Sequence, residues 1–188
     1  MEFNEILNKR CSIREFSTKP VKWDKVLEAI DAACQSPFAG NINNLKFIIV
    51  ENQDLKNKIT ECCQQDWIAD APIIVVVCSD ETQLTIMYDE RGKIYSKQQV
   101  GAAIQTFLLK IIDLGLSSCW VGSYTDENIK SCLKIPQKIN IEAVLPIGYK
   151  SRTCKPKKLR KKPLEEVILW ESWKNEKKPK TLKDPTTM

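Results

Sequence analysis

The sequence predicts an α+β fold built around one main domain, and three observations support this. The 188-residue chain is long enough to bury one substantial core. Apolar residues recur at helical spacing in several segments, whereas other short segments are β-branched and bounded by turn residues. Residues 96–114 are apolar on nearly every helical face, which indicates a buried helix. We therefore expect strands separated by helices, with one long helix in the middle of the molecule.

The first part of the chain is predicted to alternate helices with strands. A short amphipathic helix opens the chain, and a clearer helical face follows over residues 23–34. Residues 36–44 are rich in Pro, Gly, Asn and Ser and predict a loop, which leads into the β-branched run of residues 46–51. A polar helix is expected over 55–64. The run "IIVVVC", residues 73–78, then indicates a strand buried on both faces.

The second part continues the same pattern around the long helix. Residues 88–93 are polar and predict a loop before that helix, and Gly115 supplies a stop after it. "SSCWVGS" predicts a short strand, "DENIKSCLKI" a helix that ends before Pro136, and "IEAVLPIGY" another strand. Beyond Tyr149 the periodicity is lost. Only "PLEEVILWESW" has enough apolar content there to dock on a protein surface.

Composition excludes several classes of function. There is no apolar run of membrane-spanning length and no secretory signal pattern, so a cytoplasmic protein without membrane contact is the expectation. The eight cysteines form no C-x-x-C pair and no histidine is present, so we predict reduced thiols and no metal site. Without histidine, hydrolytic triads built on that residue are excluded. Acid–base chemistry near neutral pH must come from a cofactor, solvent or another perturbed group.

The net charge of +5 comes from the end of the chain. From residue 150 onward, 13 Lys and Arg face 5 Asp and Glu, whereas residues 1–149 carry 16 against 19. Basic runs are more often solvated surface than nucleic-acid sites, and no aromatic-interleaved RNA-reading motif accompanies this one. Binding of nucleic acid is therefore the minority interpretation.

The stretch "KRCSIREF", residues 9–16, places Arg10 and Arg14 around Ser12. A phosphate ester near pH 7 carries close to two negative charges and three acceptor oxygens, so it favours guanidinium groups, hydroxyls and backbone amides. Arg10 and Ser12 suit such a ligand. By itself the octet is better explained by two exposed charges at the end of a helix.

Four ordered blocks resemble the FMN-dependent nitroreductase-like flavoprotein family over nearly the whole chain. They are "RCSIREF", "SPFAGNINNLKFIIV", "QVGAAIQTFLLKIIDLGLSSCWVGS", and "LPIGY" followed by "RKKPLEEVI". The resemblance implies the nitroreductase fold, with a mainly antiparallel central sheet flanked by helices and a long central helix at a homodimer interface. It implies one FMN-binding domain over residues 1–150. Residues 151–188 would form a basic C-terminal extension that wraps the partner, its last residues flexible.

The resemblance also implies how the flavin phosphate is held. Positions matching Arg10 and Ser12 bind the phosphate, and the position matching Arg14 reaches toward the ribityl chain and the pyrimidine edge. A cation there stabilises negative charge on the reduced flavin and raises its reduction potential. Arg160 and Lys161, just before a Pro-Leu step, match the region that supplies further phosphate cations.

Other matching positions are expected to contact the flavin ring. Trp120 and Val121 would lie beneath it, although both also suit a plain core position. The backbone N–H of Gly122 or Ser123 would approach N5, because glycine permits a close approach. Four residues of the 36–44 loop are expected against the flavin bound mainly by the other subunit: Pro37, Phe38, Ala39 and Asn41.

The chain departs from the family pattern in two places. Around the loop, Asn43, Asn44 and Leu45 stand where Gln, Pro and Trp are usual. In the long helix, Gln99 and Thr106 stand where Asp and Asn are frequent. Loss of the Pro and Trp predicts a less rigid loop edge, so the family's substrate preference cannot be carried over.

The function implied by the resemblance is that of an FMN-dependent NAD(P)H oxidoreductase. Hydride would pass by a ping-pong route from NADH or NADPH through flavin N5 to a small electron-poor acceptor, such as a nitroaromatic or quinone. No side chain need act as nucleophile or base. One alternative is an FMN-dependent dehalogenase or dehydrogenase of a small metabolite, against which the short segment 80–93 argues mildly. Another is a non-catalytic flavin-binding protein whose basic tail engages an acidic partner.

Overall fold

The computed structural model describes residues 1–156 and 161–178, which belong to two compact units, Met1–Lys157 and Lys158–Met188. The described part of the first unit contains four strands and six α-helices. The strands are β1 (Leu45–Val50), β2 (Ile73–Ser79), β3 (Ser117–Ser118) and β4 (Asn140–Gly148). The helices are α1 (Phe3–Lys9), α2 (Trp23–Cys34), α3 (Gln53–Cys63), α4 (Thr82–Tyr88), α5 (Glu90–Asp113) and α6 (Asp126–Leu133).

The strands form one antiparallel sheet in the order β1-β2-β4-β3. The inner strand β2 places Val76 between Ile48 of β1 and Val144 of β4. All seven residues of β2 are buried, as its uninterrupted β-branched run predicts. The predicted α+β class, with a mainly antiparallel sheet flanked by helices, is therefore confirmed.

Alternation along β2 separates two apolar layers. Val75 and Val77 face the layer built with α2 and α5, whereas Ile74 and Val76 face the layer built with α3 and α6. This follows from the period of two in a strand, which sends successive side chains to opposite faces. Helices therefore cover both sides of the sheet. The long helix α5 lies on the side away from α3.

The long helix α5 begins earlier than its sequence pattern indicates. The predicted loop over residues 88–93 is wrong, because α4 continues to Tyr88 and α5 starts at Glu90. Asp89, with φ of 49°, makes the break between them. The two helices then pack closely, since a Cβ added at Gly92 would lie 2.2 Å from the carbonyl oxygen of Leu84. Only glycine permits that approach, and tertiary packing therefore determines the start of α5.

The segment after α1 runs beside the edge of the sheet. The N–H of Ile13 donates to the carbonyl oxygen of Ser118, at 3.1 Å, and Phe16 forms an antiparallel bridge with Lys150. The side chain of Ile13 is buried, so it anchors the segment in the core. The motif "KRCSIREF" is consequently fixed next to β3.

The described part of the second unit, residues 161–178, contains a 3₁₀ helix, Leu164–Glu166. Leu164, Val167 and Trp173 are exposed there. The predictions for Arg160 and for the last residues of the chain concern positions outside the described residues. Across residues 1–156 and 161–178, every helix falls short of the length and hydropathy that crossing a bilayer demands.

Candidate functional site

One cavity collects predicted ligand-binding residues from distant parts of the chain. Its volume is about 330 Å³, at the lower end of the range for small-molecule sites. The segment after α1, one face of α5 and the β3 region form its wall. The lining residues are Arg10, Cys11, Ser12, Gln105, Leu108, Ile112, Ser118 and Trp120.

The end of α1 determines how Arg10 and Ser12 are presented. Arg10 leaves the helix in an extended conformation, with φ −64° and ψ 118°, while its N–H still donates to the carbonyl oxygen of Ile6. Arg10 and Ser12 both line the cavity, as does Cys11 between them, whereas the side chain of Ile13 enters the core.

The lining favours an anionic ligand. Of its eight described residues none is acidic, and Arg10 contributes a guanidinium group that is only partly exposed. The hydroxyl of Ser118 is buried and has no hydrogen-bond partner among the described residues. A buried hydroxyl without a partner costs about 1–3 kcal/mol. A ligand that brings acceptor oxygens into this cavity would remove that cost.

The structure does not place Arg14 among the residues that line the cavity. Its guanidinium carbon lies 5.8 Å from the centre of the Trp67 ring. Burial raises the pKa of the Cys119 thiol and outweighs the charge of Arg14, which acts to lower it. Cys119 is therefore held as a neutral thiol, which is unsuited to act as a nucleophile.

The predicted loop contacts are held by the other side of α5. Gln99, which is 4% exposed, accepts from the N–H of Ala39 at 3.0 Å and donates to the carbonyl oxygen of Ile42 at 3.1 Å. It also donates to Oδ1 of Asn44 at 2.5 Å, and Asn44 donates to Oγ of Ser96 at 2.8 Å. These bonds tie both ends of the Ala39–Asn41 turn to the long helix.

The two departures from the family pattern meet in this network. Asn44 and Gln99 are hydrogen-bonded to each other, and Thr106 accepts from the hydroxyl of Ser36 at 3.1 Å. Asn44, which stands where the family pattern has Pro, and Gln99, which stands where it often has Asp, thus attach the loop to α5. Nothing in the sequence around Asn44 or around Gln99 indicates that these two side chains are hydrogen-bonded. The pairing depends on the tertiary fold, which brings Asn44, just before β1, against Gln99 of α5.

The other residues predicted to contact the flavin differ in their exposure. Pro37 and Asn41 are exposed, and Phe38 is half-buried against the core layer of α2 and α5. Trp120 is 41% exposed and lines the cavity, while Val121 is buried and bridges to Val144.

Two further predicted ring contacts lie at the surface. Gly122 and Ser123 are exposed, and a Cβ added at Gly122 would meet nothing within 4 Å. The packing of this chain therefore does not require glycine there. Lys161 is exposed in the second unit, and Arg160 lies outside the described residues.

The cavity and the loop lie on opposite faces of α5. Between Gln99 and Leu108 the helix makes about two and a half turns, at about 3.6 residues per turn, so these side chains point to roughly opposite sides. Gln99 holds the loop, and Leu108 lines the cavity. A ligand in the cavity is thus separated by α5 from the loop of its own chain.

Five cavity residues were not among the predicted ligand-binding residues, and one of them, Cys11, lies between two that were. Gln105, Leu108 and Ile112 share one helical face, so their spacing could have grouped them, but it does not reveal what that face lines. Ser118 gives no sequence signal at all. Within the described ranges, no cluster of three Cys, Asp or Glu side chains is arranged to hold a metal ion.

Comparison with known proteins identifies relatives across most of the chain. The model of the Nitroreductase family matches residues 7–67 and 59–149. A Methanothermobacter thermautotrophicus protein with the provisional name NADH dehydrogenase/NAD(P)H nitroreductase is 29% identical over 154 residues, covering 79% of this chain and 78% of its own. Iodotyrosine deiodinase 1 of Rattus norvegicus is 22% identical over 196 residues, covering 89% and 69%. The FMN-dependent nitroreductase of Clostridium difficile R20291 superposes with a TM-score of 0.69 at 23% identity, covering 81% and 90%.

Proposed function

Because the chain belongs to the nitroreductase family, we propose that it is an FMN-dependent oxidoreductase that uses NADH or NADPH. The observation that carries this proposal is the cavity in which Arg10, Ser12, Ser118 and Trp120 meet without a carboxylate. Its guanidinium and hydroxyl groups fit the phosphate end of FMN. The names of the Methanothermobacter and Clostridium proteins, which mention NAD(P)H and FMN, support the donor and the cofactor.

In this proposal the side chains bind and orient rather than react. Bound FMN would supply the redox chemistry by accepting hydride at N5 from the nicotinamide and delivering it to a second substrate in a separate half-reaction. Arg10 and Ser12 hold the phosphate, and the exposed indole of Trp120 offers an apolar surface. The second substrate is a small electron-poor acceptor such as a nitroaromatic or quinone.

We propose further that two copies of the chain complete the site. The loop of Pro37, Phe38, Ala39 and Asn41 is separated by α5 from the cavity of its own chain, so a second copy must supply it to the same ligand. The cavity face of α5 continues toward its N-terminus as an exposed strip on which a second helix could pack, since a Cβ at Gly101 would meet nothing within 4 Å. The strip also includes Ile94, Gln98 and Gln105, all exposed.

The expectations for the two parts of the chain, the tail cations, Arg14 and the location remain proposals. Residues 1–150 form the FMN-binding domain, and residues 151–188 form an extension that docks on the dimer. In the proposal, Lys161 and Arg160 would contribute phosphate cations from that extension, and Arg14 would tune the flavin. The proposed location is the cytoplasm.

The visible spectrum of the natively purified chain tests the proposal. A yellow protein that releases FMN on denaturation and is bleached anaerobically by NADH or NADPH is expected. Parallel lines in double-reciprocal plots at several acceptor concentrations would support separate half-reactions. A colourless chain that fails to take up added FMN would overturn the proposal.

The similarity to iodotyrosine deiodinase 1 over 89% of the chain supports a second candidate, reductive dehalogenation. FMN-loaded protein reduced with dithionite and mixed with 3-iodotyrosine tests this candidate directly. Release of iodide in excess over a flavin-only control would favour it, and reoxidation by a quinone without iodide release would favour the first proposal. If the basic tail instead binds nucleic acid, truncation after residue 156 should abolish nucleic-acid binding while flavin stays bound.

A further inference from the structure

Ser118 is the feature of the cavity that the family resemblance does not explain. Its carbonyl oxygen accepts a hydrogen bond from the N–H of Ile13, and the residue pairs with Ile147 in the sheet. Its side chain is not satisfied, because the buried Oγ has no partner among the described residues. Ser118 is 4% exposed and lines the same cavity as Arg10 and Ser12. An unbonded hydroxyl at that position indicates a missing acceptor.

We propose that Ser118 is a phosphate-binding residue, whose hydroxyl donates a hydrogen bond to a phosphate oxygen of the ligand that Arg10 and Ser12 anchor. The inference rests on the proposed function and adds a residue to it. A phosphate ester has acceptor oxygens to spare after one guanidinium and one hydroxyl have bound. A hydroxyl, which can rotate its proton toward an acceptor, matches that requirement.

The position of Ser118 makes it an effective donor. β3 and the N-terminal segment are joined by the Ile13–Ser118 hydrogen bond, so Ser12 and Ser118 are held in fixed register. Little side-chain entropy is lost when a buried serine binds, and hydrogen bonds to a charged group are strengthened away from water. Ser118 is thus organised before the ligand arrives.

A second unbonded hydroxyl provides a matched comparison. Thr60 on α3 also has a buried hydroxyl without a partner among the described residues, but it does not line this cavity. If unbonded hydroxyls were only packing defects, removing either one would leave flavin binding unchanged. The proposal requires the two sites to differ.

The experiment compares FMN with riboflavin, which lacks the phosphate. Wild-type, Ser118→Ala and Thr60→Val chains are stripped of flavin, and the dissociation constants are measured from quenching of flavin fluorescence. Ser118→Ala should weaken FMN binding about tenfold, the effect of one hydrogen bond to a charged group, and riboflavin binding less than twofold. Thr60→Val should leave both constants unchanged.

Thermal melting supplies a readout that a purely structural role would not reproduce. Without ligand, Ser118→Ala should melt at or above the wild-type temperature, because the variant loses an unsatisfied buried hydroxyl. The rise in melting temperature caused by a fixed FMN concentration should be smaller than in wild type. Ser118→Cys keeps the side-chain size with a weaker donor and should give an intermediate FMN affinity.

The possible outcomes separate this inference from the function on which it rests. Wild-type FMN affinity in Ser118→Ala overturns the inference alone, as does an equal loss for FMN and riboflavin. Variants at Ser118 that fail to fold by circular dichroism also overturn it, since they show a structural role. If the wild-type chain binds neither flavin, the proposed function is rejected together with the inference.

Discussion

Replacing Gln99 with leucine tests whether the buried network holds the 36–44 loop on α5. Leucine keeps most of the side-chain volume but can neither donate nor accept a hydrogen bond. Three bonds are lost, those with Ala39 N–H, the Ile42 carbonyl and Asn44 Oδ1. The perturbation therefore removes three of the hydrogen bonds between this loop and the long helix without opening a large cavity, and leaves the Ser36–Thr106 and Asn44–Ser96 bonds in place.

The expected loss of stability follows from these bonds. Each contributes about 1 kcal/mol, and a buried group left without a partner costs about 1–3 kcal/mol. Asn44 is 7% exposed, and in the variant its side chain keeps only the bond to Ser96. The side-chain oxygen Oδ1 of Asn44 is then buried without a hydrogen-bond partner from Gln99. A total of about 3 kcal/mol is expected for Gln99→Leu. For a domain of this size that corresponds to a fall in melting temperature of about 6–12 °C.

Urea unfolding of a double-mutant cycle is the assay. Asn44→Leu and the double variant are added to Gln99→Leu, and the coupling free energy between the two positions should be about 1–2 kcal/mol. Gln83→Leu on α4 makes the same chemical change at an exposed position and should alter stability by less than about 0.5 kcal/mol. A loss below about 1 kcal/mol for Gln99→Leu, or additive effects in the cycle, would refute the reasoning.

Three further predictions concern the ligand, the acid stability and the assembly. Arg10→Gln should weaken FMN binding at least tenfold, measured by fluorescence quenching, with riboflavin binding nearly unchanged, because only FMN carries the phosphate. Hydrogen bonds from Thr82, then the bond from Lys138, lower the pKa of Asp80 to about 2. The resulting stabilisation is present above the ordinary pKa near 3.8 and is lost as pH falls through about 2. Acidification should therefore lower the free energy of unfolding of wild type by about 1 kcal/mol more than that of Asp80→Asn. Gly101→Arg should convert the proposed dimer to monomers in analytical ultracentrifugation, because it places a large cation on the open face of α5.

Each of these three predictions is contradicted by a specific result of the same measurement. Equal losses of FMN and riboflavin affinity in Arg10→Gln would show a general structural effect instead of phosphate binding. An equal loss of unfolding free energy from pH 5 to pH 2 in Asp80→Asn and wild type would show that the Asp80 contacts do not stabilise the fold. A Gly101→Arg chain that remains dimeric would place the interface elsewhere.

Some elements could be predicted from local pattern alone. β2 is recognisable because an uninterrupted β-branched run is typical of a strand that is buried on both faces. The helix Trp23–Cys34 is recognisable because its apolar residues recur at helical spacing. The start of α5 was missed, since the polar residues after Tyr88 suggest a loop and only the packing of Gly92 on α4 shows a helix.

By itself, the sequence determined the α+β class, the position of its central strand, and the family resemblance that singled out Arg10, Ser12 and Trp120. Those features depend on residue type and spacing along the chain. The tertiary structure alone decided that Ser118 joins Arg10 at one cavity and that Gln99 bonds Asn44. Such contacts join residues far apart in sequence, and the physical chemistry of one residue does not indicate which distant group the sheet and α5 will bring beside it.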